Sequence, residues 1–142
     1  MAAEHTASAT WNGDLMSGSG TFSLGSGAAT DVGLTWRARA EDASAGTSPE
    51  ELIAAALASC FSMALSHGLA QAGTPPTRLE TEATASFQAG QGITGIALRV
   101  RGQVEGIDEA AFREAAETAK TNCPVSKALE GNVEIGLDAA LA

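Results

Sequence analysis

At 142 residues with 44% hydrophobic side chains, the chain has the size and composition of one folded domain, residues 1–142. Its net charge of −9 argues against nucleic acid or an anionic membrane surface as a partner. Aromatic residues make up only 4% and tyrosine is absent, so the core has to be built from Ala, Leu, Ile and Val.

Met1–Thr10 is short and polar, without the charged-then-apolar pattern of a leader, which makes the cytoplasm the default location. Within the N-terminal strand region, residues 1–47, Thr6–Trp11 carries β-formers and Asn12-Gly13-Asp14 is a hairpin-grade turn. Ser17–Leu24 then reads as an edge strand and Gly25–Asp31 as a polar connector. Leu34–Ala40 alternates, predicting a strand with Leu34, Trp36 and Ala38 on one face and Thr35, Arg37 and Arg39 on the other. Glu41–Thr47 is a loop.

Residues 48–73 are the stretch that the rest of the chain has to cover. Ser48 suits the cap, Pro49 the first helical position, and Glu51 completes a capping box. Gly73 offers a left-handed end and Pro75-Pro76 forbid continuation. From Leu52 to Leu65 no side chain is charged, so the helix is expected to be buried on every face. A charge-free run of about 14 residues reads as too short to span a bilayer. Cys60 lies at its centre, in line with Leu52, Ala56, Met63, Ala64 and His67.

In residues 77–142, Thr77–Phe87 and Ile93–Val104 read as a hairpin joined through Ala89–Gly92. Asp108 caps a second helix, Glu109 to Lys120, whose apolar stripe is Phe112, Ala115, Ala116 and Ala119. Cys123-Pro124 opens a short helical turn through Leu129, and Asn132–Leu141 is a last strand. This order predicts an α+β fold of mostly antiparallel strands with helices on one side. One chain's thin sheets are insufficient to surround the central helix, which points to a homodimer.

Nothing suggests secretion, so the two cysteines are not expected to form a permanent disulfide, and the lack of C-x-x-C weakens a thioredoxin-like reading. For Cys60 the plain reading is a small hydrophobe, its pKa raised by desolvation unless a cation such as Arg37 or Arg39 faces it. Cys123, directly before Pro124 and beside a helix start, reads as the more acidic thiol. Because Glu51 accounts for the capping box, Glu50 is available to hold an arginine in a bidentate fork. His5, His67 and the cysteines lack zinc-ligand spacing, and Gly18–Gly27 lacks the strand–loop–helix context of a phosphate loop.

SPEELIAAALASCFSMALS, residues 48–66, together with NCPVSKAL, residues 122–129, resembles the OsmC branch of the OsmC/Ohr family of bacterial thiol peroxidases. The similarity runs from TWNGDL through GITGIAL to the last strand, and CFSMAL and CPVS favour that branch over the organic hydroperoxide resistance branch. The resemblance implies an intertwined α+β homodimer, its antiparallel sheets wrapped around a long buried central helix, with two active sites at the interface. By position Cys60 resembles the peroxidatic cysteine, Cys123 the resolving cysteine and Glu50 the catalytic glutamate. Arg39, in Arg39-Ala40-Glu41, resembles the catalytic arginine, with Arg37 a close competitor. Leu57 stands where OsmC proteins often carry histidine.

The implied cycle forms a Cys60 sulfenic acid, then a Cys60–Cys123 disulfide, which an external dithiol (of lipoyl type in the Ohr branch) reduces. Metal, haem and flavin are not required. Leu52, Ile53, Ala56, Leu57, Phe61 and Met63 around Cys60 predict a preference for organic hydroperoxides over hydrogen peroxide. Two other classes compete: an acidic dimer that binds an apolar ligand at its interface, and a thiol–disulfide exchanger acting on proteins.

Overall fold

The computed structural model describes residues Met1–Ala142 and divides into two compact units, Met1–Leu52 and Ile53–Ala142. In the first, β-formers separated by glycine turns build an antiparallel sheet of β1 (Ala7–Asn12), β2 (Ser19–Leu24) and β3 (Val32–Leu34), in that order. Gly13, at φ 88°, takes the left-handed position after β1, and the Asp14 carboxylate accepts from the Ser17 amide and hydroxyl, both at 2.7 Å. Phe22 is the buried anchor of this sheet, while β1 is exposed along its length.

The strand expected over Leu34–Ala40 stops at Leu34. Arg37–Glu41 is instead a single wide helical turn, closed by Asp42 N–H donating to Arg37 O at 2.8 Å, five residues back. Capping explains the override: Thr35 Oγ1 accepts from the Ala38 amide at 3.2 Å, and the Asp42 carboxylate accepts from the Ser44 amide at 3.0 Å. The correction matters for the arginines. On a strand they would share a face, whereas on a helical turn residues two apart point away from each other.

The long helix α1 (Pro49–Gln71) begins as expected, with the Glu51 amide donating to Ser48 Oγ at 3.1 Å. The reciprocal arm of the capping box differs: the Glu51 carboxylate accepts from Thr47 Oγ1 at 3.1 Å. Gly73, at φ 84°, ends the helix, and Thr74 N–H donates to Leu69 O at 2.9 Å in a Schellman closure. By length and composition α1 is long and apolar enough to cross a membrane, so the sequence argument that its apolar run is too short does not hold. Its uncharged stretch continues past Leu65 to Gln71.

Burial along α1 is one-sided, which corrects the expectation of burial on every face. In the second unit Leu57, Phe61, Leu65 and Leu69, spaced four apart, are enclosed, while Ala56, Ser59, Met63, His67 and Ala70 on the opposite face are exposed, Met63 at 74%. The enclosed stripe packs in one cluster with Ile96, Leu98, Val100, Phe112, Ala116, Ala119, Cys123 and Ala139. Ser62 Oγ bonds Thr81 Oγ1 at 2.7 Å and ties the helix to the sheet.

That sheet has the order β4 (Arg78–Gln88), β5 (Gly92–Gln103), β6 (Ile135–Leu141). The predicted β4–β5 hairpin is present, with Gly90 and Gly92 at positive φ in the turn. β6, however, lies parallel to β5, so this sheet is mixed. Parallel neighbours need a long crossover, here α2 (Glu109–Asn122) and α3 (Pro124–Leu129). Asp108 caps α2 as predicted, its Oδ1 accepting from the Ala111 amide at 2.8 Å.

Phe112 anchors α2 against β5 at Gly102, the only residue type that leaves room there. A Cβ at Gly102 would stand 2.6 Å from Phe112 Cε2 and Cζ and 3.2 Å from Leu79 Cδ2. Because Phe112 is fully enclosed, Gly102→Ala is expected to lower unfolding stability by about 1–3 kcal/mol, the usual penalty of overpacking. Urea denaturation checks this: an unchanged midpoint would show that the ring can move aside.

Candidate active site

The four residues singled out in the sequence form two pairs, one in each unit. Arg39 and Glu50 meet in the first. The turn Arg37–Glu41 projects Arg39 so that Nε lies 3.0 and 3.2 Å from the two Glu50 carboxylate oxygens, and Nη2 lies 2.8 Å from Oε1. This is the bidentate fork expected of Glu50. The Glu50 side chain is 5% exposed and that of Arg39 36%, so the carboxylate is spent on its partner while part of the guanidinium stays accessible. Arg37 points elsewhere and pairs with Asp42 at 3.2 Å on the surface. Geometry thus separates two arginines that alternation had treated alike.

Cys60 and Cys123 meet in the second unit. Cys60 sits on the flank of the α1 stripe and is partly buried; Cys123 lies at the junction of α2 and α3 and is fully enclosed. Both are free thiols in hydrogen-bonding contact with each other. Burial raises the Cys60 pKa, and so does its hydrogen bond with Cys123, against a smaller lowering by the Val125 amide. Burial also pushes Cys123 up, but the Cys60 thiol, the Ser126 amide and hydroxyl and the Val125 amide outweigh it and bring Cys123 below its ordinary value of 9.0. In the reduced pair the first negative charge therefore rests on Cys123 and Cys60 donates to it. The sequence reading of Cys123 as the more acidic thiol agrees.

Ser126 and Val125 are participants that the sequence reading passed over within CPVS. The available signal was their place in the first turn after the Cys123-Pro124 step, where amides are free. Leu57, by contrast, is wholly enclosed in the core. The apolar residues near Cys60 thus divide: Leu57 and Phe61 are packed interior, and Ala56 and Met63 remain open. No three His, Cys, Asp or Glu side chains converge in a group fitted to a metal ion.

Residues 40–138 match the family model described as OsmC-like protein. The chain is 43% identical over 128 residues to the peroxiredoxin OsmC of Escherichia coli (strain K12), covering 88% of this chain and 89% of that protein. The chain belongs to the OsmC/Ohr family. It is also 35% identical over 116 residues to the organic hydroperoxide resistance protein OhrA of Bacillus subtilis (strain 168), covering 78% and 79%. Among solved structures, the OsmC-like protein of Mycoplasma pneumoniae superposes with a TM-score of 0.74 at 19% identity, covering 100% of this chain and 99% of that one. OhrB of Bacillus subtilis gives 0.66 at 28%, covering 94% and 97%. The α+β architecture with its long helix is thus the OsmC/Ohr fold.

For this family member the two arginines are expected to differ in stability as they do in geometry. Arg39→Ala strands a buried Glu50 carboxylate and should cost about 2 kcal/mol, a figure at the low end because Arg39 is partly in water. Arg37→Ala removes only a surface pair and should cost less than about 0.5 kcal/mol. Chemical denaturation of both variants makes the comparison, and equal losses would contradict the assignment.

Proposed function

We propose that this chain is a thiol peroxidase that reduces organic hydroperoxides to alcohols, and hydrogen peroxide less well. The observation that carries the reading is the contact between the Cys60 and Cys123 thiols, in a chain whose similar proteins include a peroxiredoxin and organic hydroperoxide resistance proteins. Adjacent free thiols that share a proton are the minimum equipment for peroxide attack followed by disulfide closure.

The cycle follows from proton bookkeeping. Cys60 passes its proton to Cys123, and the Cys60 thiolate attacks the terminal oxygen of the hydroperoxide. The O–O bond breaks, Cys60 becomes a sulfenic acid, and the departing alkoxide takes the proton back from Cys123. The Cys123 thiolate then attacks the Cys60 sulfur and expels hydroxide, which is protonated to water. An external dithiol, for which a lipoyl-type group has the right chemistry, reduces the disulfide. Arg39, held by Glu50, supplies the cation that lowers the Cys60 pKa and meets the charge on the leaving oxygen.

The assembly in this reading is a homodimer in the cytoplasm, with each chain as one functional domain over residues 1–142. The open face of α1, with Ala56, Met63 and Ala70, is apolar surface that a second copy would cover. One observation favours the competing ligand-binding reading: a cleft of about 470 Å3 between α1 and α2, lined largely by Ala64, Ala72, Ala111, Ala115 and Ala119. Consumption of hydroperoxide with a dithiol present separates the two readings.

In that assay Cys60→Ser should abolish turnover, because a hydroxyl is a far weaker nucleophile at neutral pH. Activity surviving in this variant would reverse the roles of the two cysteines.

The substrate preference has its own test. Two or three methylenes removed from water are worth about 0.8 kcal/mol each, part of which goes to ordering the alkyl chain. Alkyl hydroperoxides should therefore exceed hydrogen peroxide in kcat/KM by about tenfold. Met63, exposed beside Cys60, is the position at which a charged residue should shrink that margin; Leu57 is unsuitable because it lies in the core. Initial rates with both peroxides decide, and equal efficiency would mean that the open residues beside Cys60 do not meet substrate.

A further inference from the structure

Ser126 carries the one buried side-chain polar atom left without a hydrogen-bond partner. The residue is 6% exposed, and its hydroxyl stands three residues after Cys123 in the first turn of α3. A side chain at this position commonly turns back to the amide of the capping residue. Here that amide is taken, because Cys123 N–H donates to Ala119 O at 2.8 Å and so belongs to α2. The group on which the hydroxyl bears is the Cys123 sulfur, whose pKa the Ser126 side chain helps to lower. With a neutral thiol this is a loose contact. With a thiolate it becomes a charge-assisted hydrogen bond.

The other donors to that charge are the Cys60 thiol and the amides of Ser126 and Val125. Cys60 on α1 is the titratable group hydrogen-bonded to the Cys123 sulfur, and the core cluster that includes Cys123 is otherwise apolar, with Phe112 and Ala119 from α2, Ile96 and Leu98 from β5, and Ala139 from β6. Lys120, Lys127 and Glu130 line with Ser126 a cleft of about 220 Å3. Lys120 Nζ is engaged with Ile135 O at 3.2 Å and Glu117 at 3.5 Å.

We propose that Ser126 is a positioning residue for disulfide closure, its hydroxyl donating to the Cys123 sulfur and holding it as the thiolate that attacks Cys60. The step it serves rests on the peroxidase reading above. In that step the Cys123 thiolate forms the S–S bond and is oxidised, the S–O bond of the Cys60 sulfenic acid breaks and that sulfur is reduced, and hydroxide leaves to be protonated. Ser126 gives up no proton and forms no covalent bond.

A donor to a thiolate leaves a signature that a packing role does not. Losing it raises the pKa, so less thiolate is present at neutral pH, yet each thiolate is a better nucleophile, by about a threefold gain per unit. For a shift of about one unit, closure in Ser126→Ala should be about threefold slower near pH 7 and faster than wild type near pH 10, where both are ionised. A packing defect slows closure at every pH.

The titration is read in a Cys60→Ser background, by ultraviolet thiolate absorbance, which no tyrosine obscures. With Ser126 intact, Cys123 should titrate below an ordinary thiol; a value at or above it would overturn the proposal without any change at Ser126. Ser126→Ala should raise that pKa by about one unit or more, the scale of one charge-assisted bond, and Ser126→Thr should restore it. Closure is then followed by intact mass in two-cysteine chains after one equivalent of an alkyl hydroperoxide, across pH. Normal disulfide formation with an unmoved titration in Ser126→Ala would bring down the role of Ser126 alone. A wild-type chain that forms no disulfide would bring down the peroxidase reading, and the closure step with it.

Discussion

An uncharged helix has to be covered, and how α1 meets that constraint shapes the second unit. Beyond its first turn α1 has no Asp, Glu, Lys or Arg, and the face it buries is the apolar stripe. The stripe from Leu57 to Leu69 is matched by Ile96, Leu98 and Val100 of β5 and by Phe112 of α2. Each such side chain, fully buried, contributes about 1.5–3 kcal/mol of transfer free energy. With few aromatics available, Phe61 and Phe112 supply the volume, and Gly102 supplies the recess into which Phe112 fits. The same packing brings Cys60, on the edge of the stripe, against Cys123 at the α2–α3 junction.

In the first unit the constraint is a charge rather than an apolar surface. Glu50 is 4% exposed, and a carboxylate so enclosed is costly unless paired and hydrogen-bonded. Three contacts from Arg39 meet that requirement and fix the guanidinium plane in return. The wide turn at Arg37–Glu41 is what makes the arrangement possible, because it sends Arg39 toward Glu50 and Arg37 to Asp42 at the surface.

Much of this was legible in the residues. Ser48, Gly73 and Asp108 mark helix ends by side-chain and backbone chemistry that acts over a few positions, and the β4–β5 hairpin follows from alternation around glycines. The misreadings have two causes, one local and one remote. Leu34–Ala40 alternates like a strand, yet local caps at Thr35 and Asp42 wind it into a turn. The parallel placement of β6 depends on where α2 and α3 return the chain, which no pattern within β6 encodes. Both pairs of candidate residues were named from sequence, Arg39 ahead of Arg37 by the resemblance, and the turn shows that Arg39 is the one that meets Glu50. Ser126 escaped notice because a serine three residues into a helix looks like an ordinary cap, and only the prior claim of Ala119 on the Cys123 amide leaves its hydroxyl without that use.

Two sets of donors compete for one negative charge, and their magnitudes decide the order of events in the proposed cycle. The amides of Val125 and Ser126 with the Ser126 hydroxyl favour charge on Cys123, the state suited to disulfide closure. Peroxide attack needs that charge on Cys60, which burial opposes. If the hydroxyl bond is worth about one pKa unit, it lowers the Cys60 thiolate fraction by about tenfold. An arginine within about 4–6 Å of a thiol lowers its pKa by about 1–3 units, enough to recover that loss and more. In the proposed cycle a cation facing Cys60 would therefore send the proton to Cys123. Once Cys60 carries oxygen its claim on the charge has ended, and the Cys123 donors hold the attacking thiolate without opposition. Oxidation of Cys60 itself thus reverses which sulfur needs the charge.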